Sequence, residues 1–368
     1  MNRLDITVKF KIMPNADQSE LLEFICREYI SAVNAIASDM VSSGSLLKLS
    51  SKDIFSDMPS AVKNQAIRDA KSVYTKYKKF IKDNSKKPID IQKEVAVPVL
   101  RKPVCIWNNQ NYSFKDGVLR FPICINGKVQ RISVRSLTTD YQLKQLQHEP
   151  GSLRITQKSN KWIAQISINV PDKPSNGSQT MGVDLGLKVP AVAVTESGKT
   201  RFFGNGRMNK YIKRKFKAKR KELGKAKKLN VIRKLDDNEQ RWMKDQDHKI
   251  SRGIINFAIE NNVSVIRMEK LTNIRNTART SRKNEKSLHT WSFYRLAQFI
   301  EYKAKLARIN VEYVDPKYTS QICPDCGTLN KAKDRRYQCS CGFKTHRDRL
   351  GALNIINAPV ADGNSRPA

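Results

Sequence analysis

Three acidic residues stand where carboxylates are unusual. Asp184 lies inside the apolar run MGVDLGL, Glu269 follows the apolar run VSVIRM, and Asp348 opens a short helical pattern near the carboxyl end. Acids are rare in buried strands unless they are paired or bound to a metal. Any one of them alone fits an ordinary surface or salt-bridged acid, so a functional prediction rests on their combination.

Converging carboxylates repel one another unless hard cations neutralise them, and Mg²⁺ prefers such oxygen ligands. A pair of Mg²⁺ ions about 3.5–4 Å apart can activate water and stabilise the leaving oxygen in phosphodiester hydrolysis. The sequence therefore predicts a catalytic site for two Mg²⁺ ions, with Asp184, Glu269 and Asp348 as their ligands.

Four clustered cysteines form a second candidate metal site. Cys323 and Cys326 are spaced C-x₂-C, while Cys339 and Cys341 are spaced C-x-C. Four thiolates in a short reduced segment bind one Zn²⁺ tetrahedrally in a closed site, which is structural rather than catalytic. Because the second spacing is one residue shorter than usual, His346 is an alternative ligand, and four cysteines without metal are the remaining interpretation.

The segment 207–228 carries twelve Lys and Arg residues and one acid. Like charges along a helix repel, so phosphate contact is favoured over a solvated helix face. A second basic stretch, 273–290, has no periodicity and fits either a substrate loop or an ordinary flexible loop. The predicted nucleic-acid contacts in the two segments are Lys210, Lys213, Arg214, Lys217, Arg220, Arg275, Arg279 and Arg282.

The overall charge agrees with a polyanionic partner. The 368 residues carry a net charge of +35, far beyond what solubility alone requires. We find no run long enough for a membrane span and no apolar signal-peptide core, so we expect a cytoplasmic protein without a membrane partner. The three scattered cysteines, Cys26, Cys105 and Cys124, are expected to be reduced thiols in apolar cores.

The first half alternates between strand and helix patterns. LDITVKFKIM is typical of a half-buried strand, and two amphipathic helical stretches follow, the first with Asp17 or Ser19 as its expected cap. Residues 98–170 contain short alternating runs separated by turn signals, which predicts an antiparallel barrel or sandwich. If the first strand joins this sheet, the helices at about 16–87 are an insertion.

The second half follows the order βββ-α-β-α-β-α, which is that of an RNase H-like domain. In such a sheet the strands bearing Asp184 and Glu269 are neighbours, and the last helix adds Asp348. The cysteine segment is inserted just before that helix. The polar stretch 171–179 is predicted to be a linker and the tail 361–368 to be disordered.

The motifs GVDLGL, IRMEKL, YTSQICPDCG and HRDRLGALNI, in this order, resemble those of TnpB. TnpB proteins are RNA-guided nucleases of bacterial insertion sequences, related to type V CRISPR effectors, and the resemblance spans nearly the whole chain. It implies an α+β multidomain chain of five parts. These are a wedge β-barrel (1–15 and 88–172), a helical recognition domain (16–87), a RuvC-like nuclease domain (173–316 and 346–360), a zinc ribbon (317–345) and the tail.

The resemblance also implies an activity. A guide RNA derived from the transposon end would direct cleavage of double-stranded DNA beside a short adjacent motif, with the acidic trio as RuvC-like catalytic residues. The guide would read sequence by base pairing, while the protein reads the adjacent motif and the backbone shape. The zinc ribbon would hold nucleic acid at the mouth of the active site. Separately from the resemblance, we expect a monomer that is associated with the bacterial nucleoid.

Three other classes remain open at this point. A nuclease-inactive relative could repress transcription through its guide, although all three acids are present. A transposase joins strands with a similar acidic cluster, but no end-binding helix-turn-helix is evident in the sequence. A zinc-ribbon RNA-binding protein without catalysis would leave Asp184 in its apolar strand unexplained.

Overall fold

The computed structural model describes residues 3–171, 177–235, 237–271, 293–332 and 334–361. It divides the chain into two compact units, Met1–Pro171 and Asp172–Ala368. The boundary falls at the start of the predicted linker, of which residues 172–176 lie outside the described part. No helix among the described residues combines the length and apolar character needed to cross a membrane.

The first unit contains a seven-stranded antiparallel sheet. Its strands, in chain order, are β1 (Arg3–Met13), β2 (Val104–Trp107), β3 (Ser113–Lys115), β4 (Val118–Ile125), β5 (Lys128–Leu137), β6 (Glu149–Lys158) and β7 (Lys161–Pro171). Their spatial order is β2-β6-β7-β1-β5-β4-β3. The first strand therefore lies at the centre of the sheet, between β7 and β5. The helical region that follows β1 in the chain is thus an insertion between β1 and the other strands of the same sheet.

Two hydrogen bonds show that this sheet is curled. Trp107 Nε1 on the edge strand β2 donates to Pro122 O on β4 at 3.0 Å, and Tyr112 Oη, next to the other edge, donates to Gly151 O on β6 at 2.9 Å. In a flat sheet, five spacings of about 4.8 Å would separate β2 from β4 by about 24 Å. The fully buried Trp107 therefore fills the interior of a strongly curved sheet.

Two long helices pack on this sheet in one shared apolar core. They are α1 (Ala16–Ser42) and α2 (Ser60–Ser85), and a short helix α3 (Asp140–Gln145) follows β5. The expected cap of α1 at Asp17 or Ser19 is wrong. Asn15 caps the helix, because its side chain accepts from Gln18 N at 2.8 Å while the Gln18 side chain accepts from Asn15 N.

The second unit contains a five-stranded mixed sheet in the order β10-β9-β8-β11-β12. The strands are β8 (Gln179–Asp184), β9 (Ala191–Thr195), β10 (Thr200–Phe203), β11 (Val263–Glu269) and β12 (Asn310–Val314). The first three form antiparallel pairs, whereas β11 is parallel to both β8 and β12. As predicted, the strands bearing Asp184 and Glu269 are neighbours.

Helices cover both faces of this sheet. Between β10 and β11 the chain forms three helices where the predicted element order has one, α4 (Gly206–Lys225), α5 (Leu229–Leu235) and α6 (Asn238–Glu260). Two more helices follow, α7 (Phe293–Leu306) and α8 (Arg347–Asn357). Apolar residues of α6 and α7 share one core with the sheet, while α8 contributes Ala352 and Ile356 to a separate core with Val192 and Val194 of β9. The acidic residues belong to the α8 side.

A small hairpin lies between β12 and α8. It consists of β13 (Arg336–Gln338) and β14 (Lys344–His346), and the second cysteine pair lies in the turn between these two strands. Tyr337, two of the cysteines and Leu350 of α8 form its apolar core. The last helix is thus packed both on the sheet and on the cysteine segment.

Candidate active site and cysteine cluster

Strand alternation aims Asp184 and Glu269 at the same face of the sheet. Successive side chains on a strand point to opposite faces, and Val183 and Met268 lie in the core on the α6–α7 side. Because Met268 pairs with Val183 in parallel register, the next residue on each strand is the acid. Both carboxylates therefore emerge at the carboxyl ends of adjacent strands, on the side covered by α8.

The close approach of α8 depends on two glycines. A Cβ at Gly182 on β8 would lie 2.0 Å from Ala352 O, and a Cβ at Gly351 on α8 would lie 3.1 Å from Asp184 Oδ2. Only a residue without a side chain lets the helix backbone lie this close to the strand. Gly351 thus seats α8 directly over Asp184 and brings Asp348, one turn earlier, towards the same place.

The electrostatics of the three acids indicate a shared site. Burial raises the pKa of Asp184 well above its ordinary value, and the negative charges of Glu269 and Asp348 raise it further. Burial also raises the pKa of Glu269, against a lowering by its hydrogen bond from Thr319. Buried carboxylates that disfavour one another's charge form an environment that a hard cation would relieve.

Protein groups also engage two of the acids. Arg335 Nη1 contacts both carboxylate oxygens of the buried Asp348, with 2.6 Å to Oδ2, and Thr319 Oγ1 donates to Glu269 Oε1. Among the described residues, the three acids do not form a compact group of the kind that the four cysteines form. The acids are neighbours, but their oxygens are not drawn into one tight group.

The sequence did not point to Thr319, Arg335 or Gly351 as site residues. Thr319 lies 50 residues from its carboxylate partner, and Arg335 is one of many basic residues in this segment. Gly351 carries a faint signal, since a glycine inside a short helix costs stability relative to alanine unless close packing requires it. Their roles arise from packing.

The four cysteines do converge. Their Sγ atoms all lie within 4.8 Å of one another, with 3.6 Å between Cys323 and Cys341 and 3.5 Å between Cys326 and Cys339. Four sulfurs at about 2.3 Å from a tetrahedral metal ion are separated by about 3.8 Å. The spacing C-x-C therefore does not prevent a tetrahedral arrangement.

His346 is not a member of the cysteine group. Its Nδ1 accepts from Asp348 N at 3.2 Å, which makes it the N-cap of α8, and its ring lies edge-on to Phe202. The alternative in which this histidine replaces a thiolate is therefore not favoured. His346 instead stabilises the start of the helix that carries Asp348.

Local turns fix the backbone after each cysteine pair, and local hydrogen bonds change the pKa values of the thiols. Gly327 and Gly342, the residues after the two pairs, adopt φ of +72° and +99° and donate back to Cys323 O and Cys339 O. These conformations are open to glycine and rare for other residues. Hydrogen bonds with Thr328 lower the pKa of Cys326 to about 6, which favours the thiolate that binds metals, whereas desolvation and hydrogen bonds with the neighbouring cysteines raise the pKa of Cys341 to about 12.

The basic helix α4 has two kinds of cation. Lys210, Arg214 and Lys217 are exposed, as nucleic-acid contacts need to be. Lys213 is half-buried, and burial lowers its pKa, whereas Arg220 Nη2 forms a 2.6 Å ion pair with Glu239 on α6. Geometry thus assigns Lys213 and Arg220 a part in docking α4 onto its own unit. Arg275, Arg279 and Arg282 lie outside the described residues.

Two family models match the chain. One, described as a probable transposase, matches residues 164–275, and the other, described as a Cas12f1-like TNB domain, matches residues 293–355. The first range contains Asp184 and Glu269, while the second contains the four cysteines and Asp348. Both candidate metal sites therefore fall within matched regions.

Curated relatives cover much of the chain. CRISPR-associated endodeoxyribonuclease Cas12f1 of Sulfoacidibacillus thermotolerans is 28% identical over 63% of this chain and 57% of that protein. TnpB-like protein MJ0751 of Methanocaldococcus jannaschii is 31% identical over 64% of this chain and 89% of that protein. The match therefore spans little more than half of the Cas12f1 relative but most of the TnpB-like one.

Solved structures share the fold. The protein in a cryo-EM structure of a Cas12f1–sgRNA–target DNA complex aligns with a TM-score of 0.70 at 15% identity, covering 98% of this chain and 100% of that one. The mini-RNA-guided endonuclease CRISPR-Cas phi3 aligns with a TM-score of 0.54 at 11% identity, covering 97% and 93%. The fold is thus that of these effectors, and the sequence match to the Methanocaldococcus protein shows that the chain belongs to the TnpB-like family.

Proposed function

We propose that this protein is an RNA-guided DNA endonuclease of an insertion sequence. The observation that carries the proposal is the placement of Asp184, Glu269 and Asp348 on one face of the sheet, where the charges of Glu269 and Asp348 raise the pKa of Asp184. Such a cluster suits metal-dependent phosphodiester hydrolysis. Related proteins named as endodeoxyribonucleases and as TnpB-like support the same activity.

The donor set fits Mg²⁺, because all three side chains offer hard carboxylate oxygens in a site whose mutual repulsion a cation would relieve. Two bound Mg²⁺ ions would supply an activated water and stabilise the leaving oxygen of the scissile phosphodiester. The three acidic side chains of this protein would hold the two ions. Asp184 and Glu269 offer ligands from the rigid ends of adjacent strands, and Asp348 offers a third from the first turn of α8.

The four cysteines fit one structural Zn²⁺, since their sulfurs already have near-tetrahedral separations. Bound zinc would close the segment that ends in α8 and so hold Asp348 in place.

The proposed function also assigns a role to each domain. The zinc ribbon is 317–345, the RuvC-like domain is 173–316 with 346–360, the wedge domain is 1–15 with 88–172, and the recognition domain is 16–87. The proposed partners are a guide RNA from the transposon end and double-stranded target DNA beside a short motif. The protein would bind this DNA in the bacterial nucleoid.

Sequencing the RNA that co-purifies with the protein, expressed with its flanking transposon end, tests RNA guidance. A single RNA with a constant scaffold and a variable end is expected, and a heterogeneous mixture would contradict the proposal. The same complex should linearise a plasmid that carries the guide-matched site in Mg²⁺. Binding without cutting at every adjacent sequence tried would favour the nuclease-inactive alternative.

The exposed cations of α4 support backbone binding, and a salt titration tests it. Replacing Lys210, Arg214 and Lys217 by Gln should flatten the log–log salt dependence of nucleic-acid binding by roughly one unit for each lost phosphate contact. The loss should be similar for different guides, because phosphates carry no sequence information. As a control, Arg233→Gln on α5 removes another exposed cation of the same unit. An unchanged slope in the triple variant would leave α4 as a solvated helix face.

A further inference from the structure

Thr319 occupies an unusual position for a small polar residue. It follows β12 and precedes the first cysteine pair, yet only 5% of its surface is exposed. Its hydroxyl donates to Glu269 Oε1, while Pro316 O lies farther away at 3.2 Å. A carboxylate can only accept hydrogen bonds, so the single proton of this hydroxyl is well matched to Glu269.

The last helix holds the turn that contains Thr319. Asn354 Nδ2 donates to Thr319 O at 2.7 Å and to Ile322 O at 2.8 Å. Its two amide protons thus fix two carbonyls of the turn that leads into Cys323. Asn354 and Asp348 both belong to α8. This helix therefore carries Asp348 and also holds Thr319, the hydrogen-bond partner of Glu269.

We propose that Thr319 is a positioning residue for Glu269 and that Asn354 keeps Thr319 in place. The proposal rests on the function inferred above, in which Glu269 is a metal ligand. A hydrogen bond to one carboxylate oxygen fixes the rotation of the group and therefore the direction of its remaining lone pairs. Partners that orient metal ligands in this way commonly change metal affinity by about 10–100-fold.

The alternative role for Thr319 is simple filling of space between the sheet and the cysteine segment. Valine has nearly the shape of threonine and keeps the β-branch, so Thr319→Val removes the hydroxyl with little change in volume. Thr319→Ser keeps the hydroxyl and removes a methyl group. A space-filling role is sensitive to the second change, whereas a positioning role is sensitive to the first.

Mn²⁺ binding, followed by electron paramagnetic resonance on the full chain with its co-purified RNA, separates these roles. Some Mn²⁺ ions will bind to the RNA rather than to the protein. The part of the Mn²⁺ binding that is lost in Asp184→Ala is therefore assigned to the acidic site. We expect about tenfold weaker binding at that site in Thr319→Val and near wild-type binding in Thr319→Ser. Zinc content and the melting temperature should stay close to wild type in both variants.

A folded Thr319→Val variant with wild-type Mn²⁺ affinity would overturn the positioning role, as would a Thr319→Ser variant with the larger loss. If Thr319→Val does not fold, Asn354→Ala decides instead. It should weaken Mn²⁺ binding, whereas Asn357→Ala, at the exposed end of the same helix, should not, and a folded Asn354→Ala variant with wild-type affinity would overturn the proposal. If Asp184→Ala itself leaves Mn²⁺ binding unchanged, the metal site of the proposed function fails, a result distinct from failure of the positioning role.

Discussion

The cysteine cluster and the acidic trio are two candidate metal sites built on different principles. Four sulfurs from one short segment already lie within 4.8 Å of one another. The three carboxylates come from two strands and a helix, and Arg335 and Thr319 engage two of them. Protonated thiols carry no charge and can approach one another closely. Carboxylates at neutral pH are ionised and repel one another, and they therefore form hydrogen bonds with nearby donor groups. A structural site can be preformed, while a catalytic site must keep ligands available for exchange.

The largest expected effect concerns the cysteine site. Cys323→Ser should reduce bound zinc from about one per chain to little or none and destabilise the ribbon by several kcal/mol, because structural zinc contributes directly to folding. Elemental analysis and thermal denaturation measure both effects. Cys124→Ser, in β4 of the other unit, should keep its zinc. Well under one zinc per chain in active wild-type protein would refute the site.

The next effect concerns the acidic site. Asp184→Ala should lower plasmid cleavage in Mg²⁺ by at least about 100-fold, since a metal ligand is lost, while zinc content and binding of guide and target stay unchanged. Glu196→Ala, which removes an exposed acid in the turn after β9, is the matched control. Full cleavage by Asp184→Ala would show that the acidic trio is not the catalytic metal site, and the cysteine cluster would remain as the candidate metal site among the described residues.

A smaller effect on stability follows from the raised pKa of Asp184. The folded protein binds this proton more tightly than the unfolded chain does. Without Mg²⁺, stability should therefore fall as pH rises above about 4, where an unfolded Asp titrates. Asp184→Asn should remove this loss and raise the free energy of unfolding at pH 7.

Thermal melts with and without Mg²⁺ check this prediction. Mg²⁺ should stabilise the wild type by binding the folded state and should have less effect on Asp184→Asn. Glu196→Gln makes the same change of charge at an exposed site and should leave the melting temperature unchanged. Equal melting of Asp184→Asn and wild type at pH 7 without Mg²⁺ would contradict the raised pKa.

The smallest effect concerns the pair between Arg335 and Asp348. Arg335→Gln should cost about 0.5–1 kcal/mol, because Asp348 loses its cation while Arg335 is partly solvated. Mg²⁺ should recover part of this loss. Lys249→Gln breaks a 2.7 Å pair with Asp245 in which both side chains are mostly exposed, and it should have a smaller effect. Equal losses in the two variants would mean that the Arg335 pair has no special role at the acidic site.

The two sites also differ in how far sequence could predict them. The cysteine segment is local, so spacing alone pointed to four candidate ligands, and the structure brings these four together without His346. For the acidic site, single acids in apolar strands indicated Asp184 and Glu269, and element order indicated that their strands are neighbours. Their catalytic role stays a prediction, as do the predicted domain boundaries and the contacts assigned to 273–290.

What the sequence determined by itself was a matter of periodicity and local spacing. Alternating runs marked the strands, amphipathic runs marked the helices, and close cysteines marked the ribbon. Only the tertiary structure decided that Arg220 pairs with Glu239 and that Thr319 reaches Glu269. These choices depend on which side chains packing brings together, in the last case across 50 residues of chain. Periodicity can say which face of an element is buried, but it does not say which residue lies opposite.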